Sequence, residues 1–173
     1  VLEIGCGDGF GTTIVAQAVK RLVGVDVESY AIEHPASNAW LQRNAKLMVN
    51  DMIAAPFPEG FDAIYSLDVI EHIPSEGEDK FLRNIAASML EPGVLIIGTP
   101  NISAAQYASG NSQLGHVNLK SYFSLKETMR RFYKNVFMFG MNDETLHTGF
   151  GPMCHYLIAL GVGLRNPGVI KQT

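Results

Sequence analysis

Cysteine, net positive charge and long apolar runs are all scarce in this sequence. The only two cysteines, Cys6 and Cys154, lie near opposite ends without a CxxC or Cys/His ladder, which argues against a disulfide framework or a structural zinc site. Lys and Arg number 13 against 17 Asp and Glu, so we do not expect nucleic acid as the main partner. No apolar run approaches the roughly 20 residues of a membrane span, and the sequence does not begin with the charged and apolar regions typical of a signal peptide. We therefore expect a cytoplasmic protein.

The composition favours one globular domain. The chain has 173 residues, of which 47% are hydrophobic and 17% are charged, enough apolar material for a sizeable core. We expect a single domain over residues 1–173. Because an apolar strand opens the sequence directly, we also expect that N-terminal helices are missing.

Predicted strands alternate with predicted helices along most of the chain. Apolar runs predict strands at 1–4, 22–26, 45–50, 61–67, 93–98, 134–140 and 153–160. Helical spacing predicts helices at 10–20, at 29–44 with a break at Pro35, from 81 to 90 with a stop at Pro92-Gly93, and at 121–132. This order predicts an α/β fold, a doubly wound and mostly parallel seven-stranded sheet with an antiparallel final strand.

One long segment carries no charge and no clear period. It runs from Pro100 to Leu119 and includes Tyr107 and His116. A structureless connection of this length is unusual inside a compact domain, so the segment is interpreted as a functional loop or lid. A flexible linker is the alternative.

Glycines occupy alternate positions after the first strand, at Gly5, Gly7 and Gly9. The dinucleotide fingerprint G-x-G-x-x-G fails, because Phe10 stands where its third glycine would be. Asp26 ends the second strand, where a carboxylate can accept both hydroxyls of a ribose. Together these features predict a nucleoside site at the carboxyl edge of the sheet.

Glu3 predicts that the part of the ligand next to the glycine loop carries a positive charge. A carboxylate beside a glycine loop repels phosphate and attracts the cationic end of an amino-acid-bearing nucleoside, and S-adenosylmethionine carries such a cation. The acidic residue followed by G-x-G-x-G resembles the first motif of class I S-adenosylmethionine-dependent methyltransferases. The resemblance continues through Asp26, the segment 50–52, the segment 61–72 and the segment 90–101.

This resemblance implies roles for individual residues in binding S-adenosyl-L-methionine. The three glycines would form the floor for the methionine moiety, and Asp26 would hold the ribose. Asp51 would pair with the adenine amine, Met52 would flank the adenine, and the backbone of Leu67 would face the cofactor amine. Ordinary turn or capping roles are the alternatives.

Three residues are candidates for catalysis. His116 ranks first as a general base for a hydroxyl acceptor, and Glu71 and His72 follow the fourth strand, close to the expected methyl group. The run from Asp68 to His72 resembles the E-x-x-E-H run of ubiquinone-pathway O-methyltransferases, a group associated with a divalent metal. Because Asp68 is shorter than the first Glu, and metal-independent relatives also carry the Glu-His pair, no metal ligand is assigned.

The residues and the resemblance together predict methyl transfer from S-adenosylmethionine to a small-molecule or glycan-like acceptor, most readily at a hydroxyl oxygen. Two alternatives stay open: a nicotinamide-dependent reductase on a similar sheet, and a cofactor-binding module without catalysis. The C-terminal loops should select the acceptor, and His147 there either lines the pocket or stabilises a turn. The sequence does not indicate the oligomeric state.

Overall fold

A single eight-stranded sheet forms the centre of the computed structural model, which describes residues 1–33, 41 and 43–165. The strands are β1 (Leu2–Ile4), β2 (Leu22–Asp26), β3 (Ala45–Val49), β4 (Phe61–Leu67), β5 (Met89–Pro100), β6 (Tyr133–Asn142), β7 (Thr145–His147) and β8 (Tyr156–Leu164). Their order across the sheet is β3-β2-β1-β4-β5-β8-β6-β7.

Strand direction confirms the predicted fold class. From β3 to β5 all neighbouring strands are parallel, and β8 inserts antiparallel between β5 and β6. The expected count of seven strands was one too low, because β6 turns at Asp143 into the short strand β7. Asp143 has a positive φ of 52°, which permits this tight turn.

The helices differ in length from the predicted ones, and most of those predicted are shorter in the structure. They are α1 (Phe10–Ala16), α2 (Ser29–Glu33), α3 (Ser75–Ala87), α4 (Gly110–Gly115) and α5 (Tyr122–Arg130), with single 3-10 turns at Ile70–His72, Ile102–Tyr107 and Gly151–Met153. None of the helices described here is long and apolar enough to cross a membrane. The part of the predicted 29–44 helix that includes Pro35 lies outside the described residues.

Helix α1 does not bury the large apolar residues whose spacing predicts a helix over 10–20. Its buried positions are Thr12 and Ala16, whereas Ile14 is exposed. The helix ends at Ala16 and not at residue 20, and the following segment turns into β2. The apolar spacing over 10–20 was misleading because Thr12 and Ala16, and not the larger Ile14, occupy the buried face of the helix.

The expected stop of α3 at Pro92-Gly93 was wrong. The helix ends at Ala87, and Met89 and Leu90 already belong to β5. The cause is Ser88, whose buried hydroxyl accepts a hydrogen bond from Phe57 N at 2.8 Å and donates to Asn84 O at 2.8 Å. The next residue, Met89, pairs with Phe61 of β4.

The uncharged segment 100–119 is not structureless. It holds the 3-10 turn Ile102–Tyr107, capped by the Asn101 side chain, and helix α4, capped by the Ser109 side chain. These two caps explain why a segment without charge or period still folds. Both short helices follow the carboxyl end of β5.

Strand order places the functional edge of the sheet. Between β1 and β4 the direction of winding reverses, since β2 and β3 lie on one side of β1 and β5 lies on the other side of β4. In open parallel sheets the ligand crevice lies outside the carboxyl ends of the strands at such a reversal. The loops after Ile4 and Leu67 therefore border the expected site.

Candidate functional site: two cavities at the carboxyl edge of the sheet

The glycine loop after β1 is built on left-handed backbone. Gly5, Gly7 and Gly9 have φ angles of 80°, 52° and 81°. A Cβ at Gly5 would collide with Val69, and one at Gly9 would approach Leu47, whereas a Cβ at Gly7 would meet no protein atom within 4 Å. The space beside Gly7 is therefore open to a ligand.

Asp26 fixes this loop against the end of β2. Its Oδ2 accepts a hydrogen bond from Gly7 N at 2.8 Å, and its Oδ1 accepts one from Glu28 N at 3.0 Å. Each carboxylate oxygen keeps a second lone pair that can accept from a hydroxyl. Asp26 thus orders the loop and can still bind a ribose.

Glu3 is held against helix α1, which follows the glycine loop. Its side chain is buried and accepts a hydrogen bond from the Thr12 hydroxyl. Burial raises the pKa of Glu3, and the hydrogen bond from Thr12 opposes that rise. Burial also raises the pKa of the neighbouring Cys6 thiol to about 12, so Cys6 stays protonated at neutral pH.

A cavity of about 210 Å³ opens between the ends of β1, β2 and β4. Five of the sequence-predicted residues line it, namely Gly5, Asp26, Asp51, Met52 and His72. The sequence reasoning missed its apolar wall, to which Val69 and Phe81 contribute. Phe81 gave only a helical periodicity signal, which does not distinguish a core residue from a cavity wall.

Asp51 and Met52 reach this cavity through a tight turn after β3. Asp51 Oδ1 accepts a hydrogen bond from Ile53 N at 2.7 Å, while Met52 is buried and its carbonyl accepts from Asn84 Nδ2 at 2.9 Å. The alternative turn role of Asp51 is thus present in the structure. Its second oxygen, Oδ2, can still accept a hydrogen bond from a ligand amine.

Strand β4 is followed by a residue with left-handed backbone. Leu67 is the last strand residue and is partly exposed, and Asp68 follows with a positive φ of 56°. Burial raises the pKa of Asp68, while a hydrogen bond with Tyr156 lowers it. The sequence reasoning missed Tyr156, which reaches this point from β8 because β8 is inserted next to β5.

Glu71, His72 and His116 come together although 44 positions separate the two histidines. Candidate ligand atoms of the three side chains all lie within 4.8 Å of one another, a spacing that could hold a metal ion. The two imidazole centroids are 5.0 Å apart in an edge-to-face arrangement. The structure thus gathers all three candidate catalytic residues.

Backbone contacts hold this cluster in place. His72 Nδ1 lies 3.0 Å from Gly115 O, so the ring donates to that carbonyl, and Asn118 N donates to Glu71 O at 2.9 Å. Glu71 is fully buried, and its Oε2 accepts from the Thr99 hydroxyl at 2.9 Å. Burial raises the pKa of Glu71, and Oε1 has no hydrogen-bond partner within the part of the chain that the structure describes.

A second cavity, of about 300 Å³, lies on the His116 side of the cluster. His116, Tyr107 and His155 line it together with Pro100, Leu119 and small residues of the 3-10 turn. His72 belongs to the first cavity and His116 to the second, so the imidazole pair stands between them. His147 lines neither of these cavities, and its Nδ1 accepts from Gly149 N at 3.0 Å within a turn.

Residues 1–93 match a methyltransferase domain family. The chain belongs to this family. A probable S-adenosylmethionine-dependent methyltransferase of Mycobacterium tuberculosis is 29% identical over 102 residues, which cover 58% of this chain and 35% of the relative. A ubiquinone biosynthesis O-methyltransferase of Stutzerimonas stutzeri is 28% identical over 112 residues, 62% of this chain and 47% of the relative. The chain thus spans less than half the length of these relatives.

Solved methyltransferase structures share the fold. A possible histamine N-methyltransferase from Thermotoga maritima gives a TM-score of 0.72 at 16% identity and covers 93% of this chain and 80% of its own. The magnesium protoporphyrin IX methyltransferase from Synechocystis, solved with bound SAH, gives 0.67 at 17% identity and covers 93% and 72%. At these identities the likeness shows the fold alone, and it confirms the predicted methyltransferase sheet.

S-adenosylmethionine is the cofactor of this methyltransferase family, and the first cavity suits it. The open space beside Gly7 admits a ligand against the backbone, and Asp26 retains acceptor capacity for hydroxyls. Asp26, Asp51 and the apolar wall line this cavity, and Gly7 adjoins it through its hydrogen bond to Asp26. The family match favours the methyltransferase hypothesis over the nicotinamide-dependent reductase.

Proposed function

We propose that the protein transfers the methyl group of S-adenosylmethionine to a hydroxyl oxygen of a small-molecule or glycan-like acceptor, with His116 as the general base. The observation that carries the proposal is the position of His116 on the wall of the second cavity, 5.0 Å from the His72 ring that lines the first. An acceptor in the second cavity would lie beside both the base and the cofactor site.

The cofactor residues keep their expected roles in this proposal. Gly5, Gly7 and Gly9 form the floor, Asp26 binds the ribose, Asp51 and Met52 contact the adenine, and the Leu67 backbone faces the amine. Glu3 contributes electrostatically, because its buried carboxylate stabilises the cationic end of the cofactor when it is ionised. When bound, S-adenosylmethionine supplies the electrophilic methyl group.

His116 takes the acceptor's proton. Imidazole is the side chain whose protonation changes most readily near neutral pH, and a positioned base contributes about 10² to 10⁴ in rate. As the acceptor oxygen loses its proton, His116 gains a positive charge. One carboxylate oxygen of Glu71 lies within 4.8 Å of one ring nitrogen of His116 and stabilises that charge when Glu71 is ionised.

His72 orients the pair. Its contact with Gly115 O at 3.0 Å fixes one ring nitrogen as a donor and ties the 3-10 turn after β4 to the residue just before His116. Alignment of acceptor and cofactor is itself worth several kcal/mol of barrier in a displacement reaction. The resulting rigidity of the boundary between the cavities supports catalysis.

The test is a methyl-transfer screen with isotopically labelled S-adenosylmethionine against small hydroxylated compounds, followed by NMR assignment of the methylated atom. The proposal expects label on an acceptor oxygen. Label on nitrogen or carbon would contradict the O-methylation. Cofactor binding in calorimetry without transfer to any acceptor, including in a longer form of the protein, would favour a non-catalytic cofactor-binding module.

A further inference from the structure

The second cavity is lined by few ionisable side chains. The described residues that line it include neither Lys, Arg, Asp nor Glu, and their only ionisable side chains are those of Tyr107, His116 and His155. Two acidic groups lie near His116 without lining the cavity: Glu71 in the same cluster, and Asp68, which is close enough to His116 for an electrostatic interaction.

The one basic residue of the segment from Pro100 to Ser121 cannot serve the cavity. Lys120 is buried and forms an ion pair with Glu78, and its Nζ also donates to Asn118 Oδ1 at 2.9 Å. Asn118 Nδ2 in turn donates to Glu78 Oε2 at 2.9 Å. The cation is therefore neutralised within a buried network.

Two aromatic rings border the same cavity. The centroids of Tyr107 and His155 are 6.0 Å apart with an interplanar angle of 57°. Tyr107 is 73% exposed, so most of its ring is available to a ligand, and the neighbouring lining residues Ala104, Ala105 and Ala108 are small. A flat ring can pack against such a face, and aromatic pairs gain stability beyond the area that they bury.

Two hydrogen bonds fix the backbone of His155, whose ring lies beside that of Tyr107. His155 N donates to Asn142 Oδ1 at 2.9 Å, and its carbonyl accepts from Asn101 N at 2.8 Å. Asn101 is itself buried and donates through Nδ2 to Cys154 O at 2.7 Å. The cavity wall at His155 is thus built from satisfied hydrogen bonds, which makes it a preformed surface.

We propose that the second cavity selects a neutral hydroxylated ring compound, packed against Tyr107 beside His155, and rejects acceptors that carry a carboxylate or phosphate. The proposal rests on the proposed function, since it takes this cavity as the acceptor site. An anion there would lose part of its hydration without a Lys or Arg partner among the described lining residues. Tyr107 and His155 are therefore specificity-determining residues.

Matched pairs of compounds that differ in one charge test the selection. Methyl gallate is compared with gallate, and methyl glucoside with methyl glucuronide, so that aromatic and sugar rings are distinguished. Binding is measured by saturation-transfer NMR in the presence of S-adenosylhomocysteine, and turnover is measured with labelled S-adenosylmethionine. We expect the neutral member of at least one pair to bind at least about tenfold more tightly than its anion, a difference expected from the unpaired charge.

Three variants locate the effect. Tyr107→Ala should weaken binding of the neutral ring compound at least about fivefold, whereas Tyr107→Phe, which keeps the ring, should preserve it. Ala108→Lys should place a cation on the cavity wall and improve binding of the anionic partner. Tyr107 and Ala108 are not core residues, so circular dichroism should show folded variants.

The outcomes separate this inference from the proposed function. Equal or tighter binding of the anions, no binding by either member of both pairs, or indifference to Tyr107→Ala would overturn the inference. Selective binding of the neutral compounds without methyl transfer would uphold the cavity's selectivity and count against the proposed O-methylation.

Discussion

At the scale of single residues, Asp26 has a structural function in addition to the ribose binding that the sequence predicts. It orders the glycine loop through Gly7 N, and it keeps acceptor capacity toward a ligand hydroxyl. Asp26→Ala should weaken S-adenosylmethionine binding by about 1 to 3 kcal/mol, because charge-assisted hydrogen bonds are lost. Calorimetry measures this, with Glu28→Ala as the control for a neighbouring carboxylate. Unchanged affinity in Asp26→Ala would refute the ribose assignment.

Gly7 gives a test of the cofactor floor that separates binding from folding. A Cβ there meets no protein atom within 4 Å, so Gly7→Val should keep the fold at a backbone cost of about 1 to 3 kcal/mol for its positive φ. The new side chain would fill the open space and abolish S-adenosylmethionine binding. Gly110→Val, at another open but remote position, should leave affinity unchanged. Normal binding by Gly7→Val would show that the floor lies elsewhere.

Glu3 predicts a dependence of stability on pH. Because burial raises its pKa above the ordinary 4.5, its contribution to folding is fully present below that value and is lost as pH rises through the raised pKa. Glu3→Gln removes this titration and keeps an oxygen for the Thr12 hydroxyl. The melting temperature of the variant minus that of the wild type should therefore become more positive between about pH 4 and pH 8.

The same variant should bind S-adenosylmethionine more weakly, since the cofactor's cation loses a nearby negative charge. Melting curves of the ligand-free protein and calorimetry at neutral pH give the two readouts. A melting difference that stays constant or falls as pH rises would show that Glu3 is not held above its ordinary pKa.

At the scale of elements, a buried ion pair fixes the end of the acceptor segment. Lys120 pairs with Glu78 of α3, and Asn118 joins the same network. Lys120→Met should destabilise the protein by about 3 to 5 kcal/mol, because Glu78 is left as an unpaired buried charge. The double variant Lys120→Met/Glu78→Gln should recover most of that loss in denaturant unfolding.

An exposed ion pair offers the matched control. Arg130 and Glu127 interact on the surface of α5, so Arg130→Ala should change stability by less than about 1 kcal/mol. If Lys120→Met cost no more than Arg130→Ala, the buried network would not be what anchors the segment beside His116.

Elements with a strong local signal could be predicted from the sequence. Strands β2 and β4 were predicted at their observed bounds: β2 is a short apolar run that is buried at four of its five positions, and β4 buries Phe61, Ile64 and Ser66. Helix ends were predicted poorly: the stop of α3 depends on Ser88, whose hydroxyl bonds to Phe57, a contact across 31 positions that no local pattern reveals.

At the scale of the whole molecule, the cofactor side of the site was more predictable than the acceptor side. Residues near Gly5 and Asp26 follow strands directly, so strand order brings them together. The pairing of His72 with His116, and of Tyr107 with His155, depends on how the segment 100–119 folds back and on the insertion of β8. Those contacts join residues that are far apart in the sequence, so no periodic pattern in the sequence indicates them.

His72 and His116 can serve either in general base catalysis or as ligands of a metal ion, and treatment with a chelator distinguishes the two. If His116 acts as a free base, prolonged treatment with EDTA followed by gel filtration should leave methyl transfer unchanged. Loss of activity that Mg²⁺, Mn²⁺ or Zn²⁺ restores would instead assign Glu71, His72 and His116 to a metal site. Turnover before and after treatment is the measurement.

The most direct test of the central claim is the turnover of His116→Ala on acceptors of graded acidity, at fixed and saturating S-adenosylmethionine. Removal of the base should lower kcat by about 10² or more with cofactor affinity little changed, and acceptors of lower pKa should recover part of the loss. His147→Ala, which alters a histidine outside both described cavities, should keep full turnover. Full turnover by His116→Ala on the same acceptors would contradict its role as the base.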